Sequence, residues 1–286
     1  MTARPEFAAK PGAADAGREI AFELNGRRFT FEVPRPGDLS IPSVFLVGLP
    51  KAGSTLLNRL MMPITKAAGL SFVGLQETMF RMGVAPQHTP AAVNAGFAPS
   101  GYAFGSFRSL PGGVELPSYA ADRTILLVRD PRDMLVSLYF SLARSHAPPG
   151  KIVGDETAAT FEDHRRQINS MSIDAFALSK VAVVIDQYAT VTAKLSAISH
   201  QLHRYEDIIF DKLSWARDMV AYLGLSVSTA VLERAVNAND IRPDVEDQAR
   251  HVRKVVPGDH REKLRLETIT ELNARLGPIL RQYGYV

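Results

Sequence analysis

The chain has 286 residues, 46% of them hydrophobic, and a formal net charge of only +3. That length can bury one large core, and so small a charge gives no support to nucleic acid or an anionic membrane as a general partner. The sequence holds no cysteine, which excludes disulfides and cysteine metal sites and suits a reducing compartment.

Met1 to Gly17 is rich in Ala, Pro and Gly and lacks the apolar centre of a signal peptide. It reads as a flexible tail over residues 1–17, ahead of one domain over 18–286. No apolar run approaches the roughly 20 residues that a membrane-spanning helix needs, so the expectation is a soluble, cytoplasmic protein. From Ile20 to Val33 apolar and polar residues alternate around Asn25-Gly26, the dipeptide that best accepts the positive φ angles of a tight turn. This predicts an edge hairpin over about 18–34, ended by Pro34, Pro36 and Gly37.

The continuous apolar run Ile41 to Val47 predicts a strand buried on both faces. Further buried strands are expected at Leu70 to Leu75, Tyr102 to Phe107, Thr124 to Val128 and Gln201 to Tyr205. Helices are expected at about Ser54 to Ala68, Pro131 to Arg144, Ser172 to Ser199, Lys212 to Leu223, Ser228 to Asn237 and Arg261 to Gln282. Such alternation predicts an α/β fold in three layers, a central, mostly parallel β-sheet flanked by helices. The Pro- and Gly-rich stretch Gly83 to Pro117 and the loop Ala147 to Asp155 have little periodicity, and they are candidates for walls that select a substrate or for plain surface connections. Trp215 shares an apolar stripe with Leu213, Met219 and Val220 and reads as core.

Between the first buried strand and its helix lies Gly48-Leu49-Pro50-Lys51-Ala52-Gly53-Ser54-Thr55-Leu56. A helix start leaves backbone N–H groups free and favours an anion, and Lys51 adds a full charge there. Ser54 and Thr55 offer hydroxyls to an oxyanion as well as to the helix end. The P-loop NTPase pattern requires lysine after its second glycine; here Lys51 precedes Gly53 by two residues, so that pattern fails. After a later core strand comes Arg129-Asp130-Pro131-Arg132-Asp133-Met134-Leu135-Val136-Ser137, in which proline suits the first helical position and the acids suit the first turn. Arg129 stands at the strand's C-terminal end, with Ser137 about two turns further on. The run Arg253-Lys254-Val255-Val256-Pro257-Gly258-Asp259-His260-Arg261 is basic, which by itself describes a solvated face.

These segments together resemble the PAPS-dependent sulfotransferases, where PAPS is 3′-phosphoadenosine-5′-phosphosulfate. The first resembles that family's 5′-phosphosulfate loop, P-K-[SA]-G-[ST]-[ST], and implies Lys51, Ala52, Gly53, Ser54, Thr55 and Leu56 as donor-binding residues. The second resembles its 3′-phosphate site, with Arg129 and Ser137 in the binding roles. The third resembles the R-K-G-x-x-G-D-W-[KR] loop and implies Arg253 and Lys254 as 3′-phosphate contacts; Val255 replaces its first glycine, whose backbone normally approaches the phosphate, and His260 its tryptophan. His203-Arg204-Tyr205-Glu206-Asp207 resembles a strand end that places Tyr205 near the adenine, against the plainer reading of a half-buried aromatic.

The resemblance implies a P-loop-like fold and transfer of a sulfuryl group from PAPS, leaving 3′,5′-ADP, to a hydroxyl or less readily an amine. A small molecule, glycan or lipid is the expected acceptor, and no metal is expected, since a sulfuryl group carries little charge compared with a phosphoryl group. The acceptor must lose a proton. The histidine of the cytosolic members' K-T-H motif has no counterpart in Gly105 to Leu110, whereas Glu77, just after the second parallel strand, matches the glutamate used by related members. Glu77 is therefore the expected base and His88 the second candidate, with an ordinary first-turn acid as the plainer reading of Glu77. A P-loop kinase and a nucleotide-binding protein without catalysis are the competing readings.

Overall fold

The computed structural model describes residues 17–145, 155–243, 246–247 and 254–286. Strands β1 (Arg18–Leu24) and β2 (Arg27–Val33) pair antiparallel. Asn25 and Gly26, at φ 52° and 72°, form the two-residue turn between them, the left-handed pair that matches strand twist.

A five-stranded sheet follows, built from β3 (Val44–Gly48), β4 (Ser71–Gly74), β5 (Tyr102–Phe107), β6 (Thr124–Val128) and β7 (His200–Arg204) in the order β4-β5-β3-β6-β7. Every pairing is parallel. All residues of β3, β5 and β6 are buried, as central strands covered on both faces must be. Alternation sorts their side chains: Val44, Leu46, Ile125 and Leu127 enter one core, while Phe45, Val47, Leu126 and Val128 enter the other.

The first core packs on α1 (Ser54–Ala67), α7 (Lys212–Leu223) and α8 (Thr229–Asn237) through Leu57, Leu60, Trp215, Met219 and Leu232. The second packs on α3 (Pro131–Phe140), α5 (Ile173–Lys194) and α10 (Leu266–Gln282) through Leu135, Val181, Tyr188, Leu272 and Leu276, with Phe22 and Phe31 of the hairpin. The short helices α2 (Leu75–Arg81), α6 (Tyr205–Ile208) and α9 (Asp259–Lys263) stand at strand ends or before α10, and α4 (Asp155–Asn169) precedes α5. Among the described residues no helix is long and apolar enough to cross a membrane.

Five expected elements differ in detail. The helix from Pro131 leaves α geometry at Phe140 and continues as a π turn over Ser141–Ser145. The helix after Ser172 ends at Lys194, and Leu195 to Ser199 form turns. The single helix expected from Arg261 breaks at Leu264 and Arg265, which are extended. There the Arg265 N–H donates to Asp174 Oδ1 of α5 at 2.9 Å, and Leu264 is buried. Both edge strands, β4 and β7, are only partly buried rather than buried as expected. Most of the expected tail and of the loop Ala147 to Asp155 lies outside the described residues.

Candidate active site

The chain leaves β3 toward β4 and β5 on one side of the sheet and crosses to β6 and β7 on the other. Where strand order reverses, loops diverge beyond the carboxyl ends and leave a crevice. The loop from Leu49 to Gly53 sits there. Leu49 and Ala52 are buried anchors, and the Leu49 N–H donates to the Leu127 carbonyl at 3.0 Å. Lys51 is held in the left-handed region at φ 64° and Gly53 at φ 93°. No side chain caps α1, so the first N–H groups of the helix, at Ser54, Thr55 and Leu56, are left for another acceptor. A Cβ at Gly48 would lie 3.0 Å from Ser54 Cβ, so glycine lets the loop return tightly over its strand.

Arg129 emerges from β6 into the same crevice with 7% of its surface exposed. Its Nη1 donates to the Lys51 carbonyl at 3.3 Å and its Nη2 to Asp133 Oδ2 at 3.5 Å, both long contacts; Nε has no hydrogen-bond partner. The guanidinium carbon lies 4.4 Å from the centre of the Tyr205 ring, a cation–π distance. Tyr205 also edges against the loop from Leu49 to Gly53, since a Cβ at Gly53 would come within 3.1 Å of Tyr205 Cδ2. Its hydroxyl donates to the Val255 carbonyl at 3.2 Å. Val255, the residue that departs from glycine, buries its side chain in the core beside α1 and α7. Burial raises the Tyr205 hydroxyl pKa against the opposing charge of Arg129.

Asp133, wholly buried one turn beyond Arg129, ties this region to the start of α9. Its carboxylate accepts from the Gly258 N–H at 2.7 Å, the His260 N–H at 3.0 Å and His260 Nδ1 at 2.6 Å. Burial opposes its ionisation, but the bonds from His260 and the charge of Arg129 outweigh that and hold the carboxyl well below the usual range. Ser137, half-buried, is a further turn along the same side of α3. Lys254 is committed elsewhere, to Glu262 at 2.6 Å and Asp259 at 3.4 Å. Arg253 lies outside the described residues.

On the other side of the crevice, Glu77 stands exposed in the first turn of α2. Its carboxylate turns back toward β5: a Cβ at Gly74 would be 3.2 Å from Ser106 Oγ and 3.7 Å from Glu77 Oε2. Ser106, Ser109 and Leu110 all have positive φ. This bent segment is pinned by Asn58, whose Oδ1 accepts the Ser106 N–H at 2.8 Å, and by Gln76, whose Oε1 accepts the Arg108 N–H. Protein crowding lowers the pKa of the exposed Arg108 guanidinium, and the charge of Glu77 opposes that shift. His88 is exposed on a 3-10 turn, Pro86–His88, which packs against α2.

The structure thus gathers Lys51 to Leu56, Arg129 and Tyr205 at the ends of β3, β6 and β7, and sets Glu77 across from them at the end of β4. Asp133, His260 and Arg108 were not singled out as site residues by sequence. An acid four residues after an arginine on one helix start was the available signal for Asp133.

No protein-family model matches the sequence, and no curated protein matches it. Among solved structures, mouse sulfotransferase SULT7A1 complexed with PAP is similar over 94% of this chain and 100% of that chain, with a TM-score of 0.54 and 15% identity. Retinol dehydratase in complex with androsterone and the inactive cofactor PAP is similar over 93% of this chain and 90% of that chain, with a TM-score of 0.49 and 13% identity. The first of these likenesses establishes the fold: this is the P-loop-like α/β fold of the sulfotransferases.

Proposed function

We propose that the chain is a sulfotransferase, a catalytic domain over residues 18–286 that moves a sulfuryl group from PAPS to a hydroxyl, less readily an amine, of a small-molecule, glycan or lipid acceptor. The observation that carries this reading is the reach of Arg129 to the Lys51 carbonyl, which joins two anion-binding segments 78 residues apart in one crevice. PAPS bears negative charge at two places about a nucleoside apart, and two neighbouring cationic pockets answer that distribution. The PAP held by the similar mouse sulfotransferase supports the same donor. The cysteine-free sequence suits work in the cytoplasm.

The donor supplies the sulfuryl group and, in the phosphate beneath it, the leaving group. Lys51 and the N–H groups at the start of α1 face the place where negative charge gathers as that sulfur–oxygen bond breaks and its electron pair stays with phosphate. Interactions that strengthen in this way lower the barrier as well as the dissociation constant. Glu77 takes the proton of the acceptor hydroxyl as its oxygen bonds to sulfur, with His88 as the second candidate base. Arg129 binds the 3′-phosphate with Ser137, Arg253 and Lys254, the last after exchanging its acidic partners for phosphate, and Tyr205 lies beside the adenine.

Calorimetric titration with 3′,5′-ADP, against ADP and ATP and without magnesium, tests the donor site. Selective binding of 3′,5′-ADP supports it. Preference for ATP with magnesium replaces it with a kinase. Where turnover is found, unchanged rates in both Glu77→Gln and His88→Ala overturn the assigned base, and nucleotide binding without turnover across an acceptor screen favours a binding protein.

A further inference from the structure

One peptide bond in the crevice is gripped at both polar ends by side chains. The carbonyl of Arg129 accepts a hydrogen bond from the Tyr188 hydroxyl of α5. The N–H on the other side of that bond, at Asp130, donates to Glu206 Oε1 of α6 at 2.9 Å. The remaining oxygen of Glu206 accepts from the Tyr285 hydroxyl, beyond α10, at 3.2 Å. The β6–β7 ladder ends at Val128 and Arg204, so this peptide lies one step past the strand pairing that would otherwise satisfy it.

The grip is itself supported. Tyr188 is buried and meets Tyr283 edge-on with ring centres 5.0 Å apart. Arg204 donates to the Gly284 carbonyl at 2.7 Å, which holds the segment bearing Tyr285. The Asp130 carboxylate is occupied by Arg132, at 2.6 and 2.9 Å, and Arg132 reaches Asn273 of α10 at 2.7 Å. Burying hydroxyls and a carboxylate is unfavourable unless they are bonded, and here their bonds converge on the one peptide bond between Arg129 and Asp130. Besides its stacking on Tyr205, the Arg129 guanidinium makes only long hydrogen bonds, so its direction also depends on where this peptide is held.

We infer that Tyr188, Glu206 and Tyr285 are positioning residues that aim Arg129 and thereby set the affinity for the 3′-phosphate of the donor. This rests on the donor reading proposed above. Recognition of a phosphate by a guanidinium requires placement within about 0.5 Å, which a strand end held by packing alone does not guarantee.

The test compares two nucleotides that differ by that phosphate, 3′,5′-ADP and 5′-AMP, titrated calorimetrically into the full chain and into Glu206→Ala, Glu206→Gln and Tyr285→Phe. Glu206→Ala is expected to weaken 3′,5′-ADP about tenfold and 5′-AMP less than about twofold, a loss of about 1.4 kcal/mol confined to the phosphate. Glu206→Gln, which keeps an oxygen for the Asp130 N–H, is expected to recover most of that loss. Tyr285→Phe is expected to show about a threefold loss of the same kind, and it serves where the alanine variant fails to fold, as seen by its melting curve. Equal weakening of both nucleotides, or none, overturns the positioning role. A wild-type chain that does not discriminate between the two nucleotides overturns the donor reading instead, and the clamp with it.

Discussion

Around Arg129 the neighbouring groups are each tied to a second element: Tyr205 to Val255, Asp133 to His260, the Arg129 carbonyl to Tyr188 and the Asp130 N–H to Glu206. At the ends of β4 and β5 the backbone instead bends through positive φ at Ser106, Ser109 and Leu110, and Glu77, Arg108 and His88 face solvent. The first region suits a ligand whose charges are always in the same places. The second suits a partner whose shape is set by loops. On the proposed reading, a site divided in this way would keep one donor fixed while its acceptor side is free to vary.

The largest expected effect tests whether the fixed region does chemistry or only binds. Lys51→Ala should lower sulfuryl transfer from PAPS, followed by release of 3′,5′-ADP, by about a hundredfold or more, with a smaller loss of nucleotide affinity. Turnover that survives this change would move catalysis wholly to the side of Glu77. Next, Arg129→Ala should weaken 3′,5′-ADP by about 1.5–3 kcal/mol through loss of a charge-assisted contact, while the rate at saturating donor is largely kept. Loss of rate with unchanged donor affinity would contradict that division.

A smaller effect concerns the buried carboxylate beneath Arg129. Asp133→Asn keeps an acceptor oxygen and loses the charge, so it should destabilise the fold by about 2 kcal/mol at neutral pH, read from denaturant unfolding. The folded-state pKa of Asp133 is depressed, so its contribution is fully present above the unfolded value of about 4 and is lost as pH falls through the folded value. The gap between wild type and variant should therefore narrow below about pH 4. A gap independent of pH would show that the latch to Gly258 and His260 does not depend on ionised Asp133.

What could be read from sequence follows the range of the forces involved. Asn25-Gly26 specifies its own hairpin, and the bounds of β5, β6 and α7 coincide with the expected ones because periodicity and turn chemistry act over a few residues. Lys51, Arg129 and Tyr205 were legible as motifs at strand ends, and the crevice brings them together. The break at Leu264 and Arg265 was not, because its acceptor, Asp174, is 91 residues away. Nor was the bond between His260 and Asp133, across 127 residues. α4 was missed because its sequence, DETAATFEDHRRQIN, carries few apolar residues to mark a face.

The smallest expected effect probes the bent region directly. Ser106 holds φ 63° without being glycine, a conformation that costs a side-chain-bearing residue about 1 kcal/mol or more. Replacing it with glycine relieves that cost but adds freedom to the unfolded chain, and the two terms nearly cancel. Ser106→Gly should thus raise stability by no more than about 0.5 kcal/mol, a shift of about 1–2 °C in melting temperature for a chain of this size. The same change removes a hydroxyl that flanks Gly74 together with the Glu77 carboxylate, so acceptor turnover should respond while 3′,5′-ADP affinity does not. A matching loss of nucleotide affinity would mean that the two halves of the crevice are coupled through the Asn58 bond from α1 to the Ser106 N–H, and that the division between a fixed and a variable side is not one the protein makes.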